Sequence, residues 1–355
     1  MNQYKQLAHD IKLWGQELGF QQVGISDINL SQAEVHFVNW LNLHRHGNMD
    51  YMEKHGIKRC RPADLIPGTI SVISTRMDYF PVSTVNPEEI LHNSQLAYIS
   101  RYALGKDYHK IMRKRLQKLV NRIVHRIDNF NYRVFTDSAP ILEKALAEKA
   151  GLGWIGKHSN IINQQCGSWF FLGEIYTDLP LPADSHSINH CGTCQACIEA
   201  CPTQAIVAPY EVDARLCISY LTIELRESIP VELRPLIGNR IYGCDDCQLV
   251  CPWNKFARPS REPAFSPRQP LEAPDLIELF LWTETSFLHN TEGSAIRRIG
   301  YECWLRNIAV ALGNASPSQA IFTALTSQLN HPSPLVKEHV LWALQLQTEK
   351  LKNIN

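Results

Sequence analysis

Two cysteine runs constrain this chain more than any other feature. The first is Cys191-x2-Cys194-x2-Cys197-x3-Cys201-Pro202 and the second is Cys244-x2-Cys247-x3-Cys251-Pro252. Three thiolates at two-residue intervals let one loop wrap three irons of a 4Fe–4S cubane, while the cysteine before proline reaches the neighbouring cluster. Crossed ligation assigns Cys191, Cys194, Cys197 and Cys251 to one cluster, and Cys201, Cys244 and Cys247 to the other. The second run is one cysteine short, and Cys217, between the runs, is the natural substitute. Eight thiolates would also fill two tetrahedral zinc sites, but zinc usually joins two separate Cys-x2-Cys knuckles and has no use for the longer run. Cys60, Cys166 and Cys303 are left unassigned.

The rest of the composition sets the context. A hydrophobic fraction of 45% and a charged fraction of 20% over 355 residues suit a globular protein with a full core, which excludes a disordered chain or a disulfide-stapled miniprotein. Lys+Arg 35 balance Asp+Glu 35, so any nucleic-acid binding must rest on a local basic surface. The first twenty residues lack a basic segment followed by an apolar one, and no apolar stretch approaches the roughly 20 residues that span a bilayer. The expectation is a cytoplasmic, monomeric metalloprotein with no membrane attachment, because thiols in a reducing compartment are more often metal ligands than disulfides.

Residues 1–180 read as mixed α/β. Leu7, Ile11, Trp14 and Leu18 recur at helical spacing within Tyr4–Leu18. Thr69–Ser74, Tyr132–Phe135 and Ser168–Tyr176 are β-rich, and Ile141–Ala150 reads as a helix stopped at Gly151. The segment 178–190 reads as a linker into the cysteine region, 181–260. Six prolines between 252 and 275 preclude a regular element there. Residues 276–355 are helical in pattern, and Arg306–Leu312 resembles Glu338–Leu344 at an offset of 32 residues, which suggests a short helical repeat.

Clusters conduct electrons but seldom break substrate bonds, so another part of the chain should receive them. No G-x-G-x-x-G opens a helix and no G-x4-G-K-[ST] is present. The nearest approach to a D-x-H-x-x-G corrinoid motif, Asp184-Ser185-His186-Ser187-Ile188-Asn189, ends in Asn. Four segments carry a family resemblance: Leu104-Gly105-Lys106-Asp107-Tyr108-His109, Asp137-Ser138-Ala139-Pro140, Ala150-Gly151-Leu152-Gly153-Trp154-Ile155-Gly156-Lys157 and Gly238-Asn239-Arg240-Ile241-Tyr242-Gly243-Cys244-Asp245. With the cysteine runs, they make the chain resemble the epoxyqueuosine reductases. The resemblance implies a nitroreductase-like, cobalamin-binding α/β domain, a ferredoxin-like module with two 4Fe–4S clusters and C-terminal HEAT-like helical repeats, similar in design to reductive dehalogenases. It implies reduction of the epoxide of epoxyqueuosine, at the tRNA wobble position, to the cyclopentene of queuosine. The missing histidine motif fits a cobalt without a protein ligand. Two other readings stay open: a corrinoid enzyme acting on a small halogenated molecule, and a module that only passes electrons to a partner.

Epoxide opening releases an alkoxide, so an acid near the oxygen should help. The resemblance gives that role to Asp137, whose pKa is expected to rise beneath a corrin. From the residues alone, Asp137 could equally be the N-cap of the following helix. The resemblance also implies that Arg59, Ser100, Asp137, Lys157, His158, Ile161, Leu172, Ser219 and Asp245 line the cobalamin, although Arg59 reads equally as a solvated loop residue and Leu172 as core.

For tRNA, residues 101–126 hold nine Lys/Arg and one acidic residue, Asp107. Lys110, Lys114, Lys118, Arg122 and Arg126 form one helical stripe opposite an apolar face of Met112, Leu116, Leu119, Val120, Ile123 and Ile127. Five like charges in a row favour phosphate contact over a merely solvated face. Gly293–Arg298 resembles the family's tRNA-contacting segment, making Arg297 and Arg298 candidates, with Arg306-Asn307 following. Trp253, Tyr301 and Trp304 are candidate stacking partners for a splayed anticodon-loop base. The expected partners are thus the anticodon stem-loop carrying epoxyqueuosine and an unidentified electron donor.

Overall fold

The computed structural model describes residues 2–82 and 85–352. Its organising element is a four-stranded antiparallel sheet built from β1 (Gln22–Asp27), β2 (Ser71–Asp78), β3 (Tyr132–Phe135) and β4 (Phe170–Thr177), in the order β1-β2-β4-β3. The segment is therefore α+β, with no parallel pair in this sheet. Every residue of β4 and all but Asp78 of β2 are buried, so both faces must be covered. The pleat divides them. Ile73, Met77, Phe171 and Ile175 face one core with α1 (Asn2–Glu17) and α2 (Tyr108–Val124), whereas Val72, Phe170, Leu172 and Tyr176 face cores beneath α3 (Glu143–Lys149).

Helix α2 realises the expected amphipathic pattern: Met112, Leu116, Leu119, Val120 and Ile123 are buried, while Lys110, Lys114, Lys118 and Arg126 are exposed. Asp107 caps it by accepting from the His109 backbone N–H. The helix crosses β4 at Gly173, where an added Cβ would sit 2.8 Å from Leu116. A larger residue there would force the Leu116 and Met112 side chains to shift.

The cysteine region is short in regular structure. Helices Ala196–Glu199 and Asp246–Leu249 each lie within one cysteine run and pack together. The segment 178–190 has no regular element, but Asp184 ties it down by accepting from the Ile25 N–H and pairing with Lys12. Between 252 and 275, only two short 3-10 turns interrupt irregular chain.

Three helices close the chain: α4 (Gly300–Asn314), α5 (Gln319–Ser327) and α6 (Pro334–Lys352). The two similar heptapeptides lie on α4 and α6, which pack against each other. The largest core joins these helices to Ala97, Ile99, Leu104, Ile241 and Tyr242, so the C-terminal helices share a hydrophobic interior with the two parts before them. Among the described residues, no helix is long and apolar enough to cross a membrane.

Candidate active site and thiolate centres

The first four thiolates converge. Cys191, Cys194, Cys197 and Cys251 line one cavity of about 330 Å³, together with His158, His190 and Trp253. The Lys157 ammonium donates to the carbonyls of Gly192 and Cys194, both at 2.8 Å, and so holds the first cysteine loop. His158 turns an unpartnered Nε2 into its buried surroundings. Burial, with the nearby Lys144 charge, pushes its pKa down to about 4, so its ring is neutral. Lys157 and His158, implied as cobalamin contacts, thus stand against the outer thiolates.

The other four cysteines form a second neighbourhood. Cys247 lies in the field of Cys217 and Cys201, Cys217 in that of Cys201, and Cys244 beside Cys247. Cys201 Sγ accepts from the Ala205 N–H at 3.2 Å, the kind of backbone donor that a cluster thiolate receives. All eight are free thiols, as are the buried Cys60, Cys166 and Cys303. Two sets of four sulfurs, set in a region with short helices and backbone donors, suit iron–sulfur clusters.

Cys217 opens onto the cavity that holds Asp137. It lines a cavity of about 330 Å³ together with Ser219, Tyr108, His109, Asp137 and Arg298. A smaller cavity of about 200 Å³ adjoins it, sharing Tyr102, Tyr108 and Asp137 and adding Ile161, Leu172 and Glu143. Three of the implied cobalamin residues, Ile161, Leu172 and Ser219, therefore meet around Asp137. Arg59 is buried rather than solvated and donates to the Tyr51 carbonyl at 2.9 Å. Ser100 and Asp245 are taken up internally: Asp245 accepts from Ser100 Oγ at 2.6 Å, from the Tyr98 hydroxyl at 2.8 Å and from the Arg101 N–H at 2.8 Å.

Asp137 stands in the loop after β3 with φ +49, a left-handed conformation that aspartate tolerates better than most residues. It does not cap α3, whose N-cap is Leu142. Its carboxylate accepts from His109 Nε2 at 3.0 Å, and its side chain is 43% exposed, open to the cavity while protein walls its other sides. The expected rise in its pKa is not what this surrounding produces. Burial pushes it up, but the hydrogen bond and charge of His109, the Tyr108 hydroxyl and the Arg298 charge prevail and hold it below the usual carboxylate range.

The residues around Asp137 were mostly invisible as a group in the sequence. His109 donates from Nδ1 to Asp107 at 2.6 Å and from Nε2 to Asp137, and stacks on Tyr108 with ring centroids 4.2 Å apart. Burial lowers its pKa, but the two carboxylates outweigh this and push it up to about 9. Glu143 is pushed up to about 7 by burial and by the Asp137 charge. Glu174, on the α3 face of β4, is raised further by burial and has no hydrogen-bond partner on either oxygen. Only Asp107, Tyr108 and His109 stood out beforehand, as part of the segment Leu104–His109 that carries the family resemblance.

The tRNA candidates divide. Arg297 and Arg298 are exposed, and Arg298 pairs with Glu224 at 2.8 Å on the cavity wall. Arg306 and Asn307 are not available: Arg306 is fully buried and donates to the carbonyls of Leu221, Leu225 and Glu227, while Asn307 donates to those of Thr222 and Ile241. Trp304 is likewise buried, stacked on Trp282, and cannot receive a base. Trp253 and Tyr301 are partly exposed.

Thiolate centres beside an acid-bearing cavity define an iron–sulfur redox protein. Residues 190–254 match the family described as a 4Fe-4S double cluster binding domain, and residues 59–138 match that described as Epoxyqueuosine reductase QueG, DUF1730. An epoxyqueuosine reductase from Pseudomonas aeruginosa is 58% identical over 344 residues, covering 97% of this chain and 95% of that protein. One from Escherichia coli is 59% identical over 345 residues, covering 97% and 90%. A crystal structure of epoxyqueuosine reductase with a tRNA-Tyr epoxyqueuosine-modified tRNA stem loop superposes with TM-score 0.89 at 26% identity, covering 99% of this chain and 94% of that one. The chain belongs to the epoxyqueuosine reductase family, and its activity is that of an oxidoreductase.

Proposed function

We propose that this chain reduces the epoxide of epoxyqueuosine, carried at the wobble position of tRNA, to the alkene of queuosine, using two 4Fe–4S clusters and cobalamin. The observation that carries the reading is a single cavity lined by a cysteine of the second thiolate set, Cys217, and by the acid–base residues Asp137 and His109. The outer set (Cys191, Cys194, Cys197, Cys251) adjoins the inner set (Cys201, Cys217, Cys244, Cys247), and the inner set adjoins that cavity. Thiols pushed up by burial, such as Cys197, are poor ligands only until iron replaces the proton. The residues also suit a large amide-fringed ring. Apolar Ile161 and Leu172 offer it a floor, and the unpartnered Glu143 Oε2 offers a polar partner at the rim.

When bound, the cobalamin and clusters supply low-potential electrons for breaking the carbon–oxygen bond. The chain's own residues do the remainder. Asp137 presents a carboxyl to the opening oxygen, His109 holds that carboxyl in place, and Tyr108 forms a rigid wall by stacking on Phe171 at 3.8 Å. Arg298 stands at the same cavity and brings positive charge to where a polyanionic anticodon loop would enter. The exposed Lys110, Lys114 and Lys118 begin at the residue after His109 and extend that charge along α2. We assign residues 1–180 to a nitroreductase-like catalytic domain, 181–260 to a ferredoxin-like domain and 276–355 to a HEAT-like tRNA platform.

The test is reconstitution with iron, sulfide and cobalamin, followed by nucleoside analysis of tRNA treated under strong reductant. Conversion of epoxyqueuosine to queuosine is expected. A holoprotein with full cluster and corrin absorption that leaves the nucleoside unchanged would overturn the proposal.

A further inference from the structure

We propose that the proton delivered through Asp137 is stored on His109, and that Asp107 is the positioning residue that keeps His109 charged and aimed. This deepens the epoxide-reduction reading and rests on it. The geometry is a relay through the imidazole: Asp107 Oδ1 accepts from Nδ1 at 2.6 Å, and Asp137 Oδ2 accepts from Nε2 at 3.0 Å. Asp107 is also fixed by the His109 backbone N–H at 3.0 Å, so the first turn of α2 locks the imidazole from behind. Both ring nitrogens therefore carry hydrogens, since each faces a carboxylate that can only accept when ionised.

The stoichiometry requires such a store. Opening the ring breaks two carbon–oxygen bonds, takes up two electrons and two protons, and releases the oxygen as water while the carbon–carbon double bond forms. The electrons are those of the proposed clusters. An ionised Asp137 has no proton of its own to give. Nε2–H passes one to Asp137, Asp137 passes it to the ring oxygen, and His109 becomes neutral while Asp107 keeps its charge. The His109 and Asp107 side chains are 22% and 30% exposed, so solvent reaches the relay and returns a proton for the second transfer.

Other titratable groups face the relay from the packed elements, among them Glu174 of β4 beside Asp137 and Tyr242 of the strand Arg240–Tyr242 beside Asp107. Lys110 lies on the same helix, and Glu143 comes from α3. Tyr51 and Arg59 come from the segment before β2, and Arg298 from the turn before α4. Burial alone would discharge the imidazole, but the two carboxylates prevail, and its pKa of about 9 leaves it cationic at neutral pH.

Two measurements test the inference. The first needs no cofactor: 15N NMR of imidazole-labelled protein should show His109 doubly protonated up to about pH 9, with its midpoint moved down by at least one unit in Asp107→Asn. A midpoint near 6.5 in the unmodified protein would overturn the proposal. The second is the pH profile of single-turnover conversion of the tRNA nucleoside. The parent should lose rate as pH rises through about 9, because the stored proton is gone. His109→Gln keeps a donor to Asp137 but cannot titrate, so it should lower the rate constant about 100-fold with little change in KM, and its alkaline limb should disappear. A variant that keeps both rate and limb sinks the relay. If the parent converts no nucleoside, the functional reading fails, and the NMR result still decides how His109 is charged.

Discussion

At the level of single residues, Asp137 is held ionised by a neighbour, against its own burial. Replacing it in Asp137→Asn keeps the oxygen that faces His109 but removes the proton carrier. Turnover should fall by about 10²–10⁴-fold while iron and corrin content remain at parental levels, as measured by nucleoside analysis beside absorption spectra. The ionic triad also shapes stability. A histidine raised from about 6.5 to about 9 contributes fully below the lower value and loses that contribution as pH climbs through the higher one. Asp107 and Asp137, both held low, contribute above the ordinary carboxylate range and lose it on acidification. Urea midpoints should therefore decline between pH 6.5 and 9 in the parent and stay flatter across that window in His109→Gln. Seven of the eight cysteines were legible because their spacing of two or three residues is a local signal, and Asp137 stood in a short motif, whereas Cys217 was assigned only as the thiol lying between the runs. The histidine clamp was not legible, since Asp137 lies 28 residues from its partner and meets it only after β3 pairs with β4.

Among the elements, α2 and α4 show how far periodicity carries. The apolar stripe of α2 was readable because one face meets the sheet at helical spacing, and the exposed lysines follow from the same geometry. Reversing charge at Lys110, Lys114 and Lys118 should weaken tRNA binding and reduce the steepness of its salt dependence by about three phosphate contacts. Reversing Arg297 and Arg298 should do the same from the other side of the cavity. Filter binding across a salt series would reveal either effect, and an unchanged slope would place the contact elsewhere. Helix α4 misled for the converse reason. Arg306 looks like a surface cation, but eleven consecutive residues of this helix, Cys303–Gly313, are buried. Its guanidinium satisfies three backbone carbonyls of the cysteine region that have no other listener nearby in the sequence. In Arg306→Met those acceptors stay buried without donors. At about 1–3 kcal/mol each, the loss should be roughly 3 kcal/mol or more in a urea titration. Trp304 was misjudged for the same reason, since an aromatic that stacks on RNA and one that stacks on Trp282 look alike in a string of letters.

Across the whole molecule, the cysteine clustering and the prolines suggested three consecutive parts, but nothing in the sequence suggested how closely they would pack together. The largest core draws on the stretch before α2, on the strand Arg240–Tyr242 and on the terminal helices. Removing residues 276–352 would strip one wall from that core, and the truncated chain is expected to be insoluble instead of merely deficient in tRNA binding; expression and sedimentation would show which. Long-range packing of this kind leaves no periodic trace, so no pattern in the sequence could have disclosed it. The eight thiolates give a second prediction at this scale. Cys217→Ala should reduce iron from about eight to about four atoms per chain, with the outer set still filled. Among those eight cysteines, Cys194 alone is exposed, while its companions are buried or half-buried. Air should therefore weather this protein from the outside inward. On the proposed electron path, the cluster that Cys194 helps to hold would fail first, leaving a molecule still charged at its heart but no longer rechargeable.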